Sequence, residues 1–397
     1  MNLDAFRAEL WAEMQETFYV ENTALLLADR SGEAILGNKG SKIHKPIISK
    51  AKRVAYVPYA DVTLVQRNSS KETLEITSSD WEHTNTVLDD TDKAQMAQFM
   101  LPGFIGRDLG KVLNDGVEKH FFGQIASAKY AIDGATFGGA SGSFVDFSGA
   151  TIYDVFSRAS RQLGIGDVPT EDLFAVMGPS DIEQIKKLLA QRETNFGDGV
   201  LANGLVQRWN RWTLVQNNNL PWTANLKISI APTDGDTVTI AGVKFTFKTA
   251  LGSTAGNVLI GADAAAARTN LKKAILDEGT AGVHYVQLSD ADDFTLRTKR
   301  NISCTSAENM VFTGNGDIDV SETLTHAADV WSAKRRDAAF MRRGAIDLIV
   351  QVDPSSIEHT RKEKGHADIY KALVGRKAKL FSDGKESLVL VKTSADW

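Results

Sequence analysis

The side chains that could do chemistry in this sequence do not form a complete metal-binding motif. His359 and His366 lie seven residues apart in a charged stretch that is predicted to be a helix. The stretch between them, HTRKEKGH, lacks the glutamate that directly follows the first histidine in a zinc-protease helix. We therefore interpret both as surface histidines and predict no metal site there.

Three other motifs are also incomplete. In GGASGS, Ser143 stands where a nucleophile elbow needs its second glycine. The stretch GIGDVP breaks the dinucleotide-binding fingerprint at its last position. Asp317 and Asp319 are spaced like calcium ligands, but the sixth-position glycine and the terminal glutamate are missing. The sequence thus predicts no catalytic residue, no cofactor and no metal, and we expect the chain not to be an enzyme.

A tryptophan–arginine cluster is the remaining candidate for ligand recognition. Trp209 and Trp212 alternate with Arg208 and Arg211 in QRWNRW. Arginine beside tryptophan can stack on nucleic-acid bases or on sugars. The alternative is a strand with a core side, an exposed rim or a subunit contact.

Length and composition indicate an ordinary globular protein. The 397 residues suffice for two or three domains, and the hydrophobic content of 43% and charged content of 24% are typical. The net charge of -5 argues against a chain that coats nucleic acid over its whole surface. The single cysteine, Cys304, permits no internal disulfide.

No membrane or export signal is apparent. The sequence lacks a run of about 18 apolar residues, so we expect no transmembrane helix. The first residues predict an amphipathic helix with Phe6, Leu10 and Met14 on one face, and no signal peptide. We therefore expect the chain to remain in the cytoplasm of the cell that makes it.

Residues 54–88 predict a long two-stranded β-hairpin. Apolar and polar residues alternate in VTLVQR and in TLEIT, and Asn68 to Lys71 supply a turn. An isolated hairpin is marginally stable in water, and no third strand is evident nearby. The preceding arm has six basic residues between Lys39 and Arg53 and no acid, which indicates either a solvated arm or contact with an acidic neighbour or nucleic acid.

A long helix is predicted to follow from about Thr91, because acidic residues cap its start and one stripe is apolar. The stripe includes Leu101, Ile105, Leu109, Leu113 and Val117. Residues 226–322, rich in Thr, Gly, Ala and Asp, predict a self-contained α+β module. Its DFTLRTKR stretch is predicted to be a strand. After it we expect a strand, the charged helix with the two histidines, and a strand pair around SDGK.

The order of these elements resembles that of the major capsid proteins of tailed bacteriophages with the Hong Kong 97-type fold. The stretches that carry the resemblance are the hairpin, the acid-capped helix, DLFAVMGPSDIEQIKKLLAQRE with the tryptophan segment, and GAIDLIVQVDPSSIEHTRKEKGHADIYKALVGRKAKLF. The weight rests on order and spacing, because no single motif is diagnostic. The implied fold class is α+β: a Hong Kong 97-like capsid fold with a small inserted α+β domain.

The resemblance implies a role for each region. These are an N-terminal arm (1–53), an E-loop hairpin (54–90), a peripheral domain with the spine helix (91–150), an axial domain (151–225 and 323–352), an inserted domain (226–322) that projects outward, and a C-terminal closure (353–397). The E-loop would lie across a neighbouring subunit. Its interface residues, expected to become buried only on assembly, would be Val62, Val65, Leu74, Ile76 and Trp81. A basic arm facing DNA or adjacent capsomers would use Lys39, Lys42, Lys45, Lys50, Lys52 and Arg53.

The function implied is a capsid protein that forms pentamers and hexamers of an icosahedral shell around double-stranded DNA. Because the hairpin begins by Val54, we expect a separate scaffolding protein. The other implied partners are a portal, a decoration protein and packaged DNA through non-specific contacts, with no membrane. The location would be the virion, assembled in the host cytoplasm. The alternatives are another phage structural protein, such as a tail-tube or baseplate subunit, and a carbohydrate-active or hydrolytic enzyme.

Overall fold

The computed structural model describes most of the chain. The described residues are 23–36, 42–48, 53–58, 69–90, 101–139, 143–190, 208–209, 211–316, 318–352, 357–362 and 365–394. The helices are α1 Thr23–Leu27, α2 Ser31–Leu36, α3 Leu101–Gly123, α4 Gly149–Ile165, α5 Pro179–Ala190, α6 Ala264–Leu276 and α7 Asp290–Asp293. None of these described helices is long and apolar enough to cross a lipid bilayer.

The described strands outnumber the described helices. They are β1 Lys42–Ile48, β2 Ser69–Glu75, β3 Trp81–Asp89, β4 Tyr130–Ile132, β5 Leu173–Met177, β6 Arg208–Trp209, β7 Trp212–Gln216, β8 Pro221–Lys227, β9 Thr237–Ile240, β10 Val243–Lys248, β11 Asn257–Leu259, β12 Ser303–Cys304, β13 Asn309–Asn315, β14 Val320–Thr323, β15 Trp331–Arg342, β16 Asp347–Val350, β17 Ile357–Arg361, β18 Ala367–Lys379 and β19 Leu388–Ser394.

The largest sheet is built around strand β15. Its described order is β12-β13-β8-β15-β5-β7-β6, and β19 pairs with β15 and with β4. Because side chains alternate along a strand, β15 serves two cores. Ala338 and Phe340 pack with helices α4 and α5, whereas Ala339 and Met341 pack in the core that contains helix α3. The sheet is therefore covered on both faces.

A second sheet lies against helix α3. Strand β18 is its centre, with β3 along one edge and β17 and β16 along the other. Leu109, Leu113 and Val117 recur every four residues on α3 and are buried against Tyr370 and Val374 of β18. The apolar stripe read from the sequence is thus the contact between the long helix and this sheet.

The module between β8 and β15 shares the main sheet. Strands β12 and β13 extend that sheet beyond β8, while β11-β10-β9-β14 form a separate four-stranded sheet. One core runs from Trp222 to Trp331 and includes the inner face of α6. The chain enters through β8 and leaves through β15, which pair antiparallel with Leu226 opposite Trp331.

Local signals in the module explain its regular elements. Ala241 and Gly242 both have positive φ, 53° and 82°, so they form the tight hairpin turn between β9 and β10. The carboxylate of Asp263 accepts a hydrogen bond from the backbone of Ala266 and caps α6. The strand predicted in DFTLRTKR is wrong: Phe294–Lys299 is a π-helix that continues α7.

The charged helix predicted around His359 and His366 is also wrong. His359 lies on β17, which pairs with β18, and His366 lies just before β18. Consecutive residues of β17, Glu358 to Arg361, can be polar because this short strand lies at the edge of its sheet and is mostly exposed on both faces. The strands on either side of SDGK, β18 and β19, exist as predicted but pair with other strands.

Candidate subunit-contact surfaces

The second arm of the predicted hairpin has partners within its own chain. Strand β2 pairs antiparallel with β1 of the N-terminal arm, with Lys42 opposite Glu75 and Ile48 opposite Ser69. Strand β3 pairs with nine residues of β18. Both strands thus find partners in the same chain: β1 lies in the arm just before the predicted hairpin, and β18 lies near the other end of the sequence. Most of the first arm, 59–68, lies outside the described residues.

The burial expected on assembly is already present in one chain for two of the predicted interface residues. Leu74 is 2% exposed and Ile76 is 7% exposed, because both pack with Ile349 and Phe381 and against Ile43. The expectation that these two side chains need a neighbouring copy for burial is wrong. Val62 and Val65 lie outside the described residues.

Among the described residues of the predicted interface, Trp81 remains partly exposed. Its indole is 37% exposed and lies over the backbone of Gly375, where a Cβ atom would come within 2.8 Å of the ring. Val87 and Leu373 are also exposed large apolar residues. All three side chains lie on the same face of the β3–β18 pair. Gly375 lies opposite Trp81, and Leu373 is two residues before Gly375 on β18, so its side chain faces the same side. An exposed apolar stripe of this kind suits a partner surface.

A second exposed apolar stretch lies between β1 and β2. Val54 and Val57 are more than half exposed and Tyr56 is 83% exposed. These residues belong to the described segment 53–58, which has no strand or helix. Because the described part of the chain leaves three large side chains of this six-residue segment uncovered, the segment is a candidate contact surface.

The basic arm is partly neutralised by its own chain. The Lys45 ammonium lies 3.3 Å from carboxylate oxygens of both Asp347 and Asp383, and 4.9 Å from the centre of the Phe381 ring. Lys42 forms a 2.8 Å ion pair with Glu75. Arg53 is exposed, whereas Lys39, Lys50 and Lys52 lie outside the described residues. Lys45 thus attaches strand β1 to the body of the protein, and Lys42 attaches it to β2.

The carboxylate that receives Lys45 is electrostatically unusual. Burial raises the pKa of Asp347 to about 6, although the charge of Lys45 opposes the increase. Asp29 and Asp383 add to the increase by repulsion. The pKa of Lys45 is raised by the same two carboxylates, Asp347 and Asp383, against the opposing effect of its own burial. The charge of Lys45 therefore favours ionisation of the neighbouring carboxylates, which would otherwise be resisted by burial and mutual repulsion.

The predicted spine residues are on one described helix. Leu101 and Ile105 are within α3, and Leu109, Leu113 and Val117 line its buried side. Residues 91–100, where the helix was predicted to begin, lie outside the described residues. Gly116 leaves room for Arg376, since a Cβ there would lie 2.8 Å from Nη1 of the guanidinium, which pairs with Glu82.

Glu118 is a structural residue that our sequence reasoning missed. Its carboxylate accepts hydrogen bonds from Oγ1 of Thr23 at 2.9 Å, Nδ2 of Asn217 at 3.0 Å and Nδ2 of Asn219 at 2.8 Å. These bonds join α1, α3 and the loop after β7. The only signal in the sequence is an acid placed between Val117 and Phe121 of the apolar stripe.

Our sequence reasoning also missed a buried ion pair. Arg336 on β15 is 1% exposed, and its Nη1 lies 2.8 Å from Oγ of Ser180 and 3.4 Å from the Asp181 carboxylate. Thr393 donates a further hydrogen bond to Asp181 at 3.0 Å. Burial raises the pKa of Asp181 and lowers the pKa of Arg336. The pair fixes the start of α5 against strands β15 and β19.

The chemical candidates from the sequence are mostly accounted for by packing. Trp212 is fully buried and donates from Nε1 to Ser160 at 3.1 Å, while Trp209 packs with Phe156 at a ring distance of 4.5 Å. Trp209 and Trp212 are therefore packed in the protein core, as in the alternative interpretation of the sequence. His359 stacks on Tyr370. No cluster of three potential metal ligands occurs among the described residues, and Asp317 is not one of them.

Comparisons with known proteins give structural matches only. No protein-family model matches the sequence, and no curated protein matches it. A solved structure from Mycobacterium phage Che8 is 13% identical, with 98% of this chain and 97% of that chain covered and a TM-score of 0.56. The capsid of a native GTA particle (8% identity, coverage 99% and 99%) has a TM-score of 0.49. The mature capsid of bacteriophage PhiM1 (11% identity, coverage 98% and 92%) has a TM-score of 0.48.

The assignment of the fold rests on the first of these matches, which spans nearly the full length of both chains. The chain therefore has the α+β, Hong Kong 97-type fold of tailed-phage capsid proteins that the order of its sequence elements resembles.

Proposed function

We propose that this chain is a major capsid protein that assembles through pentamers and hexamers into an icosahedral shell around double-stranded DNA. The observation that carries the proposal is the shared fold over 98% of the chain with a protein of Mycobacterium phage Che8. A protein of this fold acts through contacts between copies, and small contacts suffice when symmetry repeats them.

The exposed apolar surfaces support self-association. The segment 53–58 and the outer face of β3 and β18 carry large apolar side chains that the described part of the chain leaves uncovered. Their positions on different elements suit a heterologous contact, in which one surface of a copy meets another surface of its neighbour. Such contacts close into rings of five or six when the rotation between copies is right.

The partners in this proposal are other copies of the chain, a separate scaffolding protein, a portal and a decoration protein. The basic arm has a more limited role than the sequence implies. Because Lys42 and Lys45 are engaged by Glu75, Asp347 and Asp383, contact with DNA would depend on Arg53 and on lysines outside the described residues.

The test is electron microscopy of the expressed full-length protein, alone and with candidate scaffolding proteins from the same source. We expect closed shells or open curved sheets in negative stain, and sedimentation of particles much larger than a 43.2 kDa chain. Straight tubes or stacked rings would instead favour the tail-tube or baseplate alternative. A chain that stays monomeric under all these conditions would contradict the proposal.

A further inference from the structure

Strand β3 forms one edge of the sheet that packs against helix α3. It pairs with β18 over nine residues, and no other described strand pairs with it. Strand β17 pairs with the opposite side of β18 and forms the other edge. Within residues 81–87, the backbone N–H and C=O groups that point away from β18 therefore face no partner strand in the described part of the chain.

The two edges differ in their protection against a further strand. Proteins usually keep an edge strand short, place charged residues or proline on it, or interrupt its register with a bulge. Strand β17 has five residues, of which Glu358 to Arg361 are polar or charged. Strand β3 has nine residues in one continuous register, without lysine, arginine or proline, and its acids, Glu82 and Asp89, lie near its ends. The middle of β3 is thus open to a partner strand.

The side chains of β3 indicate which strand fits this edge. Trp81 is 37% exposed and Val87 is 55% exposed, whereas the other exposed residues of the strand are polar. These two apolar residues lie three positions before and three positions after Thr84. An antiparallel second copy of β3, placed with Thr84 opposite Thr84, therefore brings each Trp81 beside Val87 of the other copy. The strand is complementary to itself.

This register also matches the alternation of the backbone. Odd positions meet odd positions and even positions meet even positions, since residue 81 faces 87 and residue 83 faces 85. Backbone groups along a strand point alternately to its two sides, so the outward-pointing groups of one copy meet the outward-pointing groups of the other. No like charges are opposed, because Glu82 lies opposite Thr86 of the other copy.

We propose that the β3 edges of two copies of this chain pair antiparallel about Thr84, so that their sheets join into one across a twofold axis. Main-chain hydrogen bonds supply the affinity, as in other cases of strand addition. The pairs of Trp81 with Val87, an aromatic against a β-branched side chain, set the register. The contact is isologous, because the same surface is used by both copies. This inference deepens the proposed function and rests on it for the identity of the partner.

The edge contact is compatible with the apolar outer face of the same sheet. An added strand lies beside β3 and does not cover β18, so Leu373 stays accessible on the outer face. One subunit can therefore use the outer face in a heterologous contact and the edge in a twofold contact. Heterologous contacts close rings, and an isologous contact joins two copies only. The edge of β3 thus suits the junction between one ring and the next.

Disulfide trapping tests the register in the full-length protein, before assembly and in particles. Directly opposed residues have Cβ atoms about 5 Å apart, close to the spacing that a disulfide bridges. Thr84→Cys should give a disulfide-linked dimer on non-reducing gels after mild copper-phenanthroline oxidation. The matched control is Glu358→Cys, at an exposed position on the opposite edge, β17. This control and the wild type, whose Cys304 is buried, should give no dimer.

A second trap uses exposed positions only, so that it remains valid if Thr84→Cys folds poorly. His83→Cys and Asn85→Cys face each other in the proposed register, and both side chains are exposed in the single chain. A mixture of the two variants should therefore form a mixed dimer faster than either variant alone forms its own. Adding Val87→Ser to the trap should lower the initial rate at least threefold, whereas Ile357→Ser, an exposed apolar position on β17, should leave it unchanged.

The outcomes separate this inference from the proposed function. Absence of both the Thr84→Cys dimer and the mixed dimer, before assembly and in particles, overturns the edge pairing, while closed shells in the same samples leave the proposed function intact. Equal trapping of Thr84→Cys and Glu358→Cys indicates random collision and also overturns the pairing. Selective trapping in samples that never form shells supports the pairing and contradicts the shell.

Discussion

The missing side chain of Gly178 makes room for the guanidinium of Arg336. A Cβ at position 178 would collide with Nη1 and lie 2.8 Å from Nε of Arg336. The guanidinium is confined between this glycine, Ser180 and Asp181 in a fully buried place. Residue 178 is thus restricted by a neighbour on another strand, β15, and not by its own backbone.

Gly178→Ala should therefore destabilise the protein by about 3 kcal/mol, because displacing Arg336 breaks a buried ion pair. The measurement is the urea midpoint followed by far-ultraviolet circular dichroism. Gly123→Ala is the matched control: a Cβ there meets no atom within 4 Å, and alanine at this helical position should stabilise by up to about 1 kcal/mol. Equal midpoints for the two variants would contradict the role of Gly178.

At the scale of residues, the sequence identifies apolar character but not the surface that covers it. Leu74 and Trp81 looked alike as candidate interface residues, yet Leu74 is buried by Ile349 and Phe381 and Trp81 is partly exposed. The partners of Leu74 are more than 270 residues away in the sequence. Glu118, Asp181 and Arg336 were missed because their partners are also distant in the sequence, by 99 residues for Glu118 and Asn217 and by 155 for Asp181 and Arg336, and because charged residues are normally exposed.

At the scale of elements, local signals mark some segments and leave others unmarked. The spacing of apolar residues is a local signal for α4, α5 and α6, and α6 also has a local cap, the carboxylate of Asp263. The turn between β9 and β10 is local as well. The partners of β2 and β3 were not recognised, since β1 lies in the arm before the predicted hairpin and β18 lies near the other end of the chain. Strand β17 was mistaken for a helix because strand preference depends on the neighbouring strands.

The docking of strand β1 onto β16 leads to a prediction about pH. The pKa of Asp347 is about 6 in the folded protein, whereas an unfolded aspartate has a pKa of about 4. Between these values the folded state binds more protons than the unfolded state, so the contribution of this carboxyl to stability falls as pH rises. Above about pH 6 the contribution stays constant. The urea midpoint, measured from pH 4 to pH 7, reports this slope.

Asp347→Asn removes the titrating group. We expect the difference in stability between Asp347→Asn and the wild type to move in favour of the variant from pH 4 to pH 6 and then to level off. Lys45→Met tests the cause, because loss of the opposing charge should extend the slope to higher pH. A pH-independent difference between Asp347→Asn and the wild type would contradict the raised pKa.

At the scale of the whole molecule, the order of elements was sufficient to anticipate the fold, because the resemblance used order and spacing over most of the chain. It did not show how the inserted module is attached. Residues 226–322 were expected to be self-contained, but β12 and β13 continue the main sheet through β8. Composition marks the module, whereas its shared hydrogen bonds depend on pairing that composition does not encode.

The exposed segment 53–58 offers the most direct test of assembly at this scale. The double variant Tyr56→Ser, Val57→Ser removes apolar side chains that are exposed in the single chain, so its thermal stability before assembly should match that of the wild type. If the segment is covered by a neighbouring copy, the protein concentration needed for shell formation should rise at least tenfold, because the lost contact recurs at every subunit. Light scattering measures that concentration, and electron microscopy identifies the product.

A matched control separates this contact from a general loss of apolar surface. Ile165→Ser removes a side chain that is 61% exposed at the end of α4, outside both contact surfaces. This variant should assemble at the wild-type concentration. Equal effects of the two changes would indicate non-specific adhesion, and unimpaired assembly of the double variant would show that segment 53–58 lies outside the contacts that build the particle. A selective defect would instead place the neighbour's surface over Tyr56 and Val57, because only burial makes an exposed apolar side chain contribute to association.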